Sequence, residues 1–391
     1  MQDFKIDGIL DKARQEISLS REEILRLLDI TSEKELGKVS QVARELRERY
    51  FENKVFFYGF VYFSTYCRND CTFCLYRKSN RNYPRYRKTR EEIVTTAQGL
   101  VNSGVHLLDL TMGEDPLYYQ SIHGFDDLLE IVKELKKETK TPIMISPGVV
   151  SPEVLRKFKE AGADWYACYQ ETHNKILYQG LRLEQSYEER MNRKIQAKEM
   201  GYLIEEGLLA GVGDTNEDMA DSILTMTRMG ADQVRVMSFV PQENTPLANW
   251  KTNSPFRELL IIAVMRIVMP DRLIPASLDV DGLKGLEQRL NSGANVITSI
   301  IPPAVGMAGV SQSTLDIDDG NRSIEKVLPV LKANRLEAAT NGNYQAWVNF
   351  RKAHINHATG VGNIKEVGIK CPKRPLEKRK GIIAKMQTSV I

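Results

Sequence analysis

The sequence lacks the features of a membrane-spanning, secreted or disulfide-stabilised protein. No run of uncharged apolar residues is long enough to cross a bilayer, and the N-terminus MQDFKIDGIL has no signal-peptide pattern. The 391 residues include only five cysteines, which suits a reducing compartment rather than a disulfide scaffold. We therefore expect a cytoplasmic protein without a membrane partner. With 42% hydrophobic residues, the chain can bury the core of one large α/β domain or of two ordinary domains.

Three of the five cysteines lie within eight residues, shortly after a predicted strand. Residues 55–63 (VFFYGFVYF) are rich in aromatic and β-branched side chains, which favour a buried strand. Cys67, Cys71 and Cys74 follow with the spacing C-x3-C-x2-C, which suits three corners of an iron–sulfur cluster. A closed structural zinc site needs a fourth ligand, and no further cysteine lies nearby. A cluster with one open iron can instead bind S-adenosylmethionine (SAM). Three unrelated buried thiols, or a partial zinc knuckle, are the alternatives.

Strand and helix patterns alternate along the chain. Residues 1–52 predict helices, because segments 20–23 and 32–35 each match a capping box. Eight predicted strands follow, with helical patterns between them: 55–63, 105–111, 142–146, 164–169, 203–212, 233–239, 273–279 and 295–300. Strands that are each followed by a helix predict an α/β fold of the (β/α)8 TIM-barrel class over residues 53–340. A doubly wound open sheet is the alternative, since periodicity does not show closure.

The C-terminal residues 341–391 differ from the rest in composition. Residues 351–391 hold ten Lys or Arg against two Glu, whereas the remainder of the chain is mildly acidic. This composition predicts a flexible basic C-terminal extension, in which Cys371 is a bystander thiol. A non-catalytic RNA-binding or scaffold protein that uses this extension is a rival hypothesis. No recognisable nucleic-acid-binding motif supports such a contact, so we expect no nucleic-acid partner.

Charged side chains interrupt the predicted apolar strands. Asp109 lies in VHLLDLT, Arg235 lies in VRVMSF, and Ser277 and Asp279 share one face at the end of LIPASLD. A charge inside a barrel is costly unless it is paired or bound to a ligand, so a structural salt-bridge network is one explanation. Taken together, two carboxylates and one guanidinium complement a molecule with two ammonium groups and one carboxylate. A basic amino acid such as lysine or ornithine has this charge pattern.

A SAM site is predicted at the carboxyl ends of the strands, where function collects in such a barrel. The glycine-rich segment 207–214 allows close backbone approach to a flat ring, although a tight strand-to-helix turn explains it equally well. Glu171, at the end of the fourth strand, could bind ribose hydroxyls or an ammonium group. Arg190 is a candidate for the methionyl carboxylate, with a solvated helix charge as the alternative. Ser146 ends the third strand and faces the same opening.

Longer blocks of the sequence resemble a known family. The cysteine motif, with Tyr76 just after Cys74, resembles that of the radical SAM superfamily. Seven blocks over roughly residues 15–335 resemble the 3-methylornithine synthases of pyrrolysine biosynthesis: YFSTYC (62–67), DLTMGEDP (109–116), PIMISPGV (142–149), YQET (169–172), VRVMSFVPQENTPL (234–247), LIPASLD (273–279) and RLNSGANVITSIIPP (289–303). The basic extension lies beyond what we expect of that family.

This resemblance implies a radical SAM barrel that uses a 4Fe-4S cluster and SAM to isomerise L-lysine to (3R)-3-methyl-D-ornithine. It implies that SAM is cleaved to a 5′-deoxyadenosyl radical, and that the lysine skeleton then fragments and recombines. The residues implied to hold the amino acid are Asp109, Arg235, Ser277 and Asp279. By similarity to related barrels, Glu171 and Arg190 would contact SAM. We expect a monomer that receives electrons from a donor such as flavodoxin or ferredoxin. The alternative is another enzyme like biotin synthase or the hydrogenase maturase, acting on a small amino acid.

Overall fold

Nine strands form the sheet of this protein. The structure, a computed structural model, describes residues 5–121, 123–252, 254–301 and 322–358. The strands are β1 (Lys54–Ser64), β2 (Leu107–Met112), β3 (Ile143–Ser146), β4 (Trp165–Ala167), β5 (Leu203–Ala210), β6 (Gln233–Ser238), β7 (Pro275–Ser277), β8 (Val296–Ile300) and β9 (Glu337–Ala338). The first eight match the eight predicted strands, with ends that differ by a few residues.

The first eight strands close into a parallel barrel. Their order is β6-β5-β4-β3-β2-β1-β8-β7, and the short β9 pairs with the start of β1. The two ends of this path meet at a parallel bridge between Gln233 and Leu273. There the Val234 amide donates to the Leu273 carbonyl at 3.0 Å, and the Leu273 amide donates to the Asp232 carbonyl at 3.1 Å. The barrel prediction is therefore confirmed, and the open doubly wound sheet is excluded.

Helices cover the outside of the barrel and precede it. They are α1 (Ile6–Arg14), α2 (Arg21–Leu28), α3 (Glu33–Phe51), α4 (Arg90–Ser103), α5 (Pro116–Tyr119), α6 (Asp126–Thr139), α7 (Pro152–Ala161), α8 (Lys175–Leu181), α9 (Tyr187–Glu199), α10 (Asn216–Arg228), α11 (Pro255–Val268), α12 (Leu286–Asn291), α13 (Ile324–Ala333) and α14 (Asn341–Ala358). None of the helices in the described ranges is long and apolar enough to span a membrane.

The two predicted capping boxes at the N-terminus differ in outcome. Ser20 accepts a hydrogen bond from the Glu23 amide, and the Glu23 carboxylate accepts one from the Ser20 amide, so that box is formed. Ser32 precedes α3 but makes no side-chain capping bond, so the second box is wrong. Helix α3 is instead held by tertiary contacts, because the buried Arg47 guanidinium donates to the Leu290 carbonyl at 2.6 Å.

Helix α14 closes the amino-terminal end of the barrel. Tyr344, Trp347 and Val348 are buried against the first residues of the strands, and the Trp347 ring stacks on Trp165 with centroids 5.8 Å apart. Arg351 extends the same helix face and forms a buried ion pair with Asp232 at 2.7 Å. The flexible extension predicted from residue 341 onward is therefore wrong for 341–358. Residues 359–391, with Cys371, lie outside the described residues.

The sequence contained a signal for this helix. Residues 344, 347, 348 and 351 follow the i, i+3, i+4, i+7 spacing of an apolar helix face, with arginine in the last place. The frequent Gly, Asn and His residues around that pattern favoured an irregular segment instead. Burial against the barrel end outweighs this local preference, as tertiary packing often does.

We predict that Trp347→Ala lowers the free energy of unfolding by about 3–5 kcal/mol, the usual cost of truncating a buried tryptophan. The change removes the stack on Trp165 and the hydrogen bond from the Trp347 indole to the Asp271 carbonyl. Urea unfolding followed by circular dichroism measures the effect. Asn349→Ala, an exposed site on the same helix, is the control and should change stability by less than about 0.5 kcal/mol. Equal stability of the Trp347 variant and the wild type would show that α14 does not seal the barrel.

Candidate active site

The loop that carries the three cysteines lies at the carboxyl end of β1. Cys71 is buried, and Cys67 and Cys74 are partly buried. Gly113, after β2, passes so close that a Cβ atom there would lie 2.2 Å from the Tyr66 carbonyl oxygen. The Arg85 guanidinium ties the loop from the other side, donating to the Thr65 carbonyl at 2.7 Å. The cysteine loop is thus held between the neighbouring strand end and the segment that follows it.

The electrostatic surroundings of the thiols suit a bound iron–sulfur cluster. Burial, together with the neighbouring thiol of Cys71, raises the pKa of Cys67 to about 11, and the same causes raise the pKa of Cys74. Such thiols ionise readily only against a positive partner or a metal. Cationic and polar donors are present: Gln185 Nε2 lies 3.1 Å and Arg182 Nη1 lies 3.6 Å from the Cys71 sulfur.

The same loop does not form a site for a single metal ion. In the part of the chain that the structure describes, no three His, Cys, Asp or Glu side chains converge as ligands of one ion. The cysteines of a cubane cluster bind different iron atoms and need not converge in this way. The donor set therefore fits a cluster better than it fits zinc.

Arg190 lies inside the protein, beside the cysteine loop. Its guanidinium donates to the Glu114 carboxylate at 3.0 Å, to the Gln185 side-chain oxygen at 2.9 Å and to the Cys168 sulfur at 2.9 Å. The ion pair with Glu114 is buried on both sides. The alternative of a solvated helix charge is therefore wrong. Glu114, in the block DLTMGEDP, was not predicted as a site residue.

Glu171 is held next to Arg190 by an ion pair of its own. Its backbone has a φ of 66°, a left-handed conformation that a non-glycine residue adopts only where the surroundings impose it. Its carboxylate accepts from Arg182 Nη2 at 2.7 Å, and burial raises its pKa. Both Arg182 and Arg190 also donate to the Tyr169 carbonyl, at 3.0 and 3.5 Å. The two predicted SAM residues thus share one side of the barrel mouth with the cysteines.

Ser146 is placed differently from the other two predicted SAM residues. Its hydroxyl donates to the Asp109 carboxylate at 2.7 Å, so it joins the residues that line the barrel interior. Asp109 is buried on β2, and this burial raises the pKa of its carboxyl to about 7. A carboxylate with so little solvation gains strongly from a cationic ligand.

Arg235 meets a carboxylate that the sequence analysis did not single out. Its Nε donates to Glu205 at 2.8 Å, and both side chains are buried. The Arg235 guanidinium also lies 5.8 Å from the Tyr58 ring centre and 5.6 Å from that of Tyr169. The Tyr58 hydroxyl donates to Glu205 at 3.2 Å. The predicted substrate arginine therefore sits in a preformed cage of one carboxylate and two aromatic rings.

The glycine-rich segment 207–214 has a local explanation. A Cβ atom at Gly207 would lie 2.8 Å from the Tyr169 ring, so the absence of a side chain makes room for that ring in the barrel. Gly211 and Gly213 have φ values of 97° and 100° in the turn between β5 and α10. Ring packing and the turn account for these glycines, and contact with SAM stays a prediction.

Asp279 is the centre of a hydrogen-bonded group at the ends of β7 and β8. Its Oδ2 accepts from the Ser277 hydroxyl at 2.9 Å and from the Ser299 hydroxyl at 2.6 Å. Its Oδ1 accepts from Arg322 at 3.1 Å in a buried ion pair. The predicted common face of Ser277 and Asp279 is confirmed. Arg322, like Glu205, is an additional charge that the sequence analysis did not place here.

We use the name lumen set for five charged side chains: Asp109, Glu205, Asp279, Arg235 and Arg322. With every carboxyl ionised, the set carries three negative and two positive charges, a net charge of −1. On the cluster side, Glu171 pairs with Arg182, and Glu114 pairs with both Arg190 and the partly exposed Arg68, so those side chains carry no excess negative charge. Ion pairing is therefore present among the strand charges, as one of the two explanations considered for them required. Within the lumen set, these pairs leave one negative charge that a ligand could neutralise.

Comparisons with known proteins identify the family of this chain. Residues 61–226 match the family model described as the Radical SAM superfamily. A 3-methylornithine synthase from Methanosarcina acetivorans is 44% identical over 340 residues, which is 87% of this chain and 96% of that protein. The FeFe-hydrogenase maturase subunit HydE of Thermotoga maritima is 35% identical over 292 residues, covering 74% of this chain and 82% of that protein.

The solved structures give the same result. A crystal structure of methylornithine synthase (PylB) superposes with a TM-score of 0.82 at 42% identity, covering 87% of this chain and 99% of that chain. Radical SAM enzymes use a 4Fe-4S cluster and SAM, and the donor set around Cys67, Cys71 and Cys74 fits that chemistry. The chain therefore belongs to the radical SAM enzymes, in the family of the 3-methylornithine synthases.

Proposed function

We propose that this chain isomerises L-lysine to (3R)-3-methyl-D-ornithine, the first step of pyrrolysine biosynthesis. The observation that carries the proposal is the composition of the buried lumen set, in which three carboxyl groups face two guanidinium groups among the described residues. The set has a net charge of −1 when Asp109 is ionised. Lysine has two ammonium groups and one carboxylate at neutral pH, a net charge of +1, so the bound complex would be neutral. Family membership supports the same substrate, because relatives of 44% and 42% identity are named 3-methylornithine synthases.

The cofactor side of the proposal rests on the cysteine loop and the two neighbouring ion pairs. Cys67, Cys71 and Cys74 would hold the cluster, and Glu171 and Arg190 would contact SAM. When bound, the cluster and SAM together supply a 5′-deoxyadenosyl radical, which removes an unactivated hydrogen from the substrate. The cluster would take one electron from an external donor to start the chemistry, and a flavodoxin or a ferredoxin is suited to supply it. Because an isomerisation is redox-neutral, the hydrogen that is removed from lysine must be returned to the rearranged product radical.

The protein's own residues bind and orient the substrate. Arg235 donates to Glu205 through Nε, and its Nη1 has only a weak contact with the Met237 sulfur at 3.9 Å, so the terminal nitrogens would be able to bind a substrate carboxylate. Asp109 and Asp279 would bind the two ammonium groups. The bulky side chains of Trp165 and Trp347 fill the amino-terminal end of the lumen. This closure excludes water and keeps the fragments of the lysine skeleton together.

We predict that Cys67→Ala loses the cluster, because two remaining cysteines cannot hold three corners of a cubane. Anaerobic reconstitution of the wild type should give about four iron and four sulfide per chain, by the cubane stoichiometry. Iron and sulfide analysis of the purified proteins measures this. Cys168→Ser, a buried thiol outside the motif, is the control and should keep its iron. Full iron content in the Cys67 variant would remove this residue from the ligand set.

The lumen site is tested by removing both members of one ion pair. Arg235→Gln alone leaves Glu205 buried and unpaired, which should cost about 3–5 kcal/mol of stability. The single variant therefore loses turnover for either of two reasons. The double variant Arg235→Gln/Glu205→Gln is neutral at both positions, so we expect a melting temperature near that of the wild type.

We predict that this double variant forms no methylornithine from lysine. It lacks the guanidinium for the substrate carboxylate, although its fold, its cluster content and its affinity for SAM should be retained. Iron analysis, SAM binding by calorimetry and chromatographic product detection give the three readouts. Turnover of lysine near the wild-type rate by a stable double variant would refute the lumen site and leave Arg235 a purely structural role.

A further inference from the structure

A strongly basic segment directly follows the cysteine loop. Residues 77–90, RKSNRNYPRYRKTR, contain seven Lys or Arg and no Asp or Glu. We call this segment the basic strip. The proposed function gives these positive charges no role, because lysine and SAM would bind in the barrel interior. The strip therefore calls for an explanation at the protein surface.

The strip wraps around the cysteine loop. The Lys78 amide donates to the Asn69 carbonyl at 2.8 Å, between the first two cysteines, and the Lys88 amide donates to the Phe63 carbonyl at 2.8 Å. Arg85 donates to the carbonyls of both Arg77 and Asn80 at 2.9 Å. These contacts fix the strip as the outer wall of the loop that carries the proposed cluster ligands.

Part of this charge has a structural use. Arg77 forms a buried ion pair with Asp70 at 2.6 Å, and Arg87 pairs with the buried Asp115 at 2.6 Å. Arg85 is occupied by backbone carbonyls. Arg77 and Arg85 therefore hold the loop in place and are not available as surface charges, whereas Arg87 pairs with Asp115 but stays exposed beside the loop.

The other charges face outward. Lys78 is exposed, and its only ion pair within the described ranges is with the well-exposed Glu184. Arg81 is exposed and Lys88 is half-buried, and neither takes part in an ion pair between described residues. The Tyr66 side chain, next to Cys67, is 36% exposed, and the Arg87 guanidinium lies 3.9 Å from its ring centre. The surface beside the loop thus combines free positive charge with an exposed aromatic ring.

We propose that the basic strip is the docking surface for an acidic one-electron carrier protein of the flavodoxin or ferredoxin type. The inference rests on the proposed function, because a cluster bound by Cys67, Cys71 and Cys74 takes its electron from outside the protein. An acidic carrier would be steered by Lys78, Arg81 and Lys88 to the surface nearest those cysteines. Tyr66 and Arg87 are residue types enriched in protein interfaces and would supply the contact itself.

The test compares charge reversal on the strip with charge reversal elsewhere. Lys78→Glu/Arg81→Glu changes two exposed side chains that touch neither the cysteines nor the lumen set. The control, Lys137→Glu/Lys332→Glu, makes the same change in net charge at exposed sites in the last turns of α6 and α13. Those turns lie at the amino-terminal end of the barrel, opposite the cysteine loop.

Stopped-flow absorbance follows the reduction of the reconstituted cluster by reduced flavodoxin, without lysine present. We expect the strip variant to react about ten-fold more slowly than the wild type at low salt, the lower end of electrostatic steering effects. The difference should shrink as ionic strength rises, since salt screens exposed charges. Reduction by dithionite, a small inorganic reductant, should be equally fast in all three proteins.

Several outcomes would overturn the docking surface. The proposal is overturned if flavodoxin reduces the cluster of the strip variant within two-fold of the wild-type rate. It is also overturned if the control variant is slowed as much as the strip variant. Salt-sensitive RNA binding that the strip variant alone loses, with its reduction rate unchanged, would assign the strip to nucleic acid instead. If the cluster is reduced normally but no product forms from lysine, the proposed function is contradicted. The test of the docking surface still holds in that case, because cluster reduction is measured without lysine.

Discussion

A charge inside a closed barrel has little water around it, and the lumen set shows how this chain meets that constraint. Arg235 is neutralised by Glu205, and Asp279 is neutralised by Arg322, in ion pairs of 2.8 and 3.1 Å. Asp109 remains, with a pKa raised to about 7 by burial. A ligand with one net positive charge completes the balance, because the cost of burying an unpaired charge is then removed. Substrate affinity and the stability of the empty barrel consequently depend on the same side chains.

The two ends of the barrel serve this interior in different ways. At the amino-terminal end, α14 fills the opening with Tyr344 and Trp347, so the interior is closed by apolar packing. At the carboxyl end, the cysteine loop is held by Gly113 and Arg85, and the ion pairs of Arg182 and Arg190 lie beside it. Radical chemistry needs this combination: one end excludes water, and the other admits the substrate, SAM and an electron.

Much of this arrangement could be predicted from the sequence. Alternation of strand and helix patterns predicted the barrel, and Asp109 and Arg235 stood out as charges within apolar strands. Glu205 carried the same signal within LIEEGLLA and was overlooked. That Arg235 pairs with it could not be predicted, because the contact depends on the register between neighbouring strands. Arg322 gave no signal at all, since it follows β8 by more than twenty residues and meets Asp279 only in the folded protein.

We propose that lysine is rebuilt inside this barrel without gain or loss of atoms. Because an isomer has the same mass as its parent, the intact mass of the product does not distinguish it from lysine. The decisive measurement is NMR of the products formed from uniformly carbon-13-labelled L-lysine by the reconstituted enzyme with SAM and a reductant. We expect a new methyl signal coupled to a branched carbon, with a matching loss of the signals from the linear chain of lysine. SAM cleavage with the lysine spectrum unchanged would contradict it.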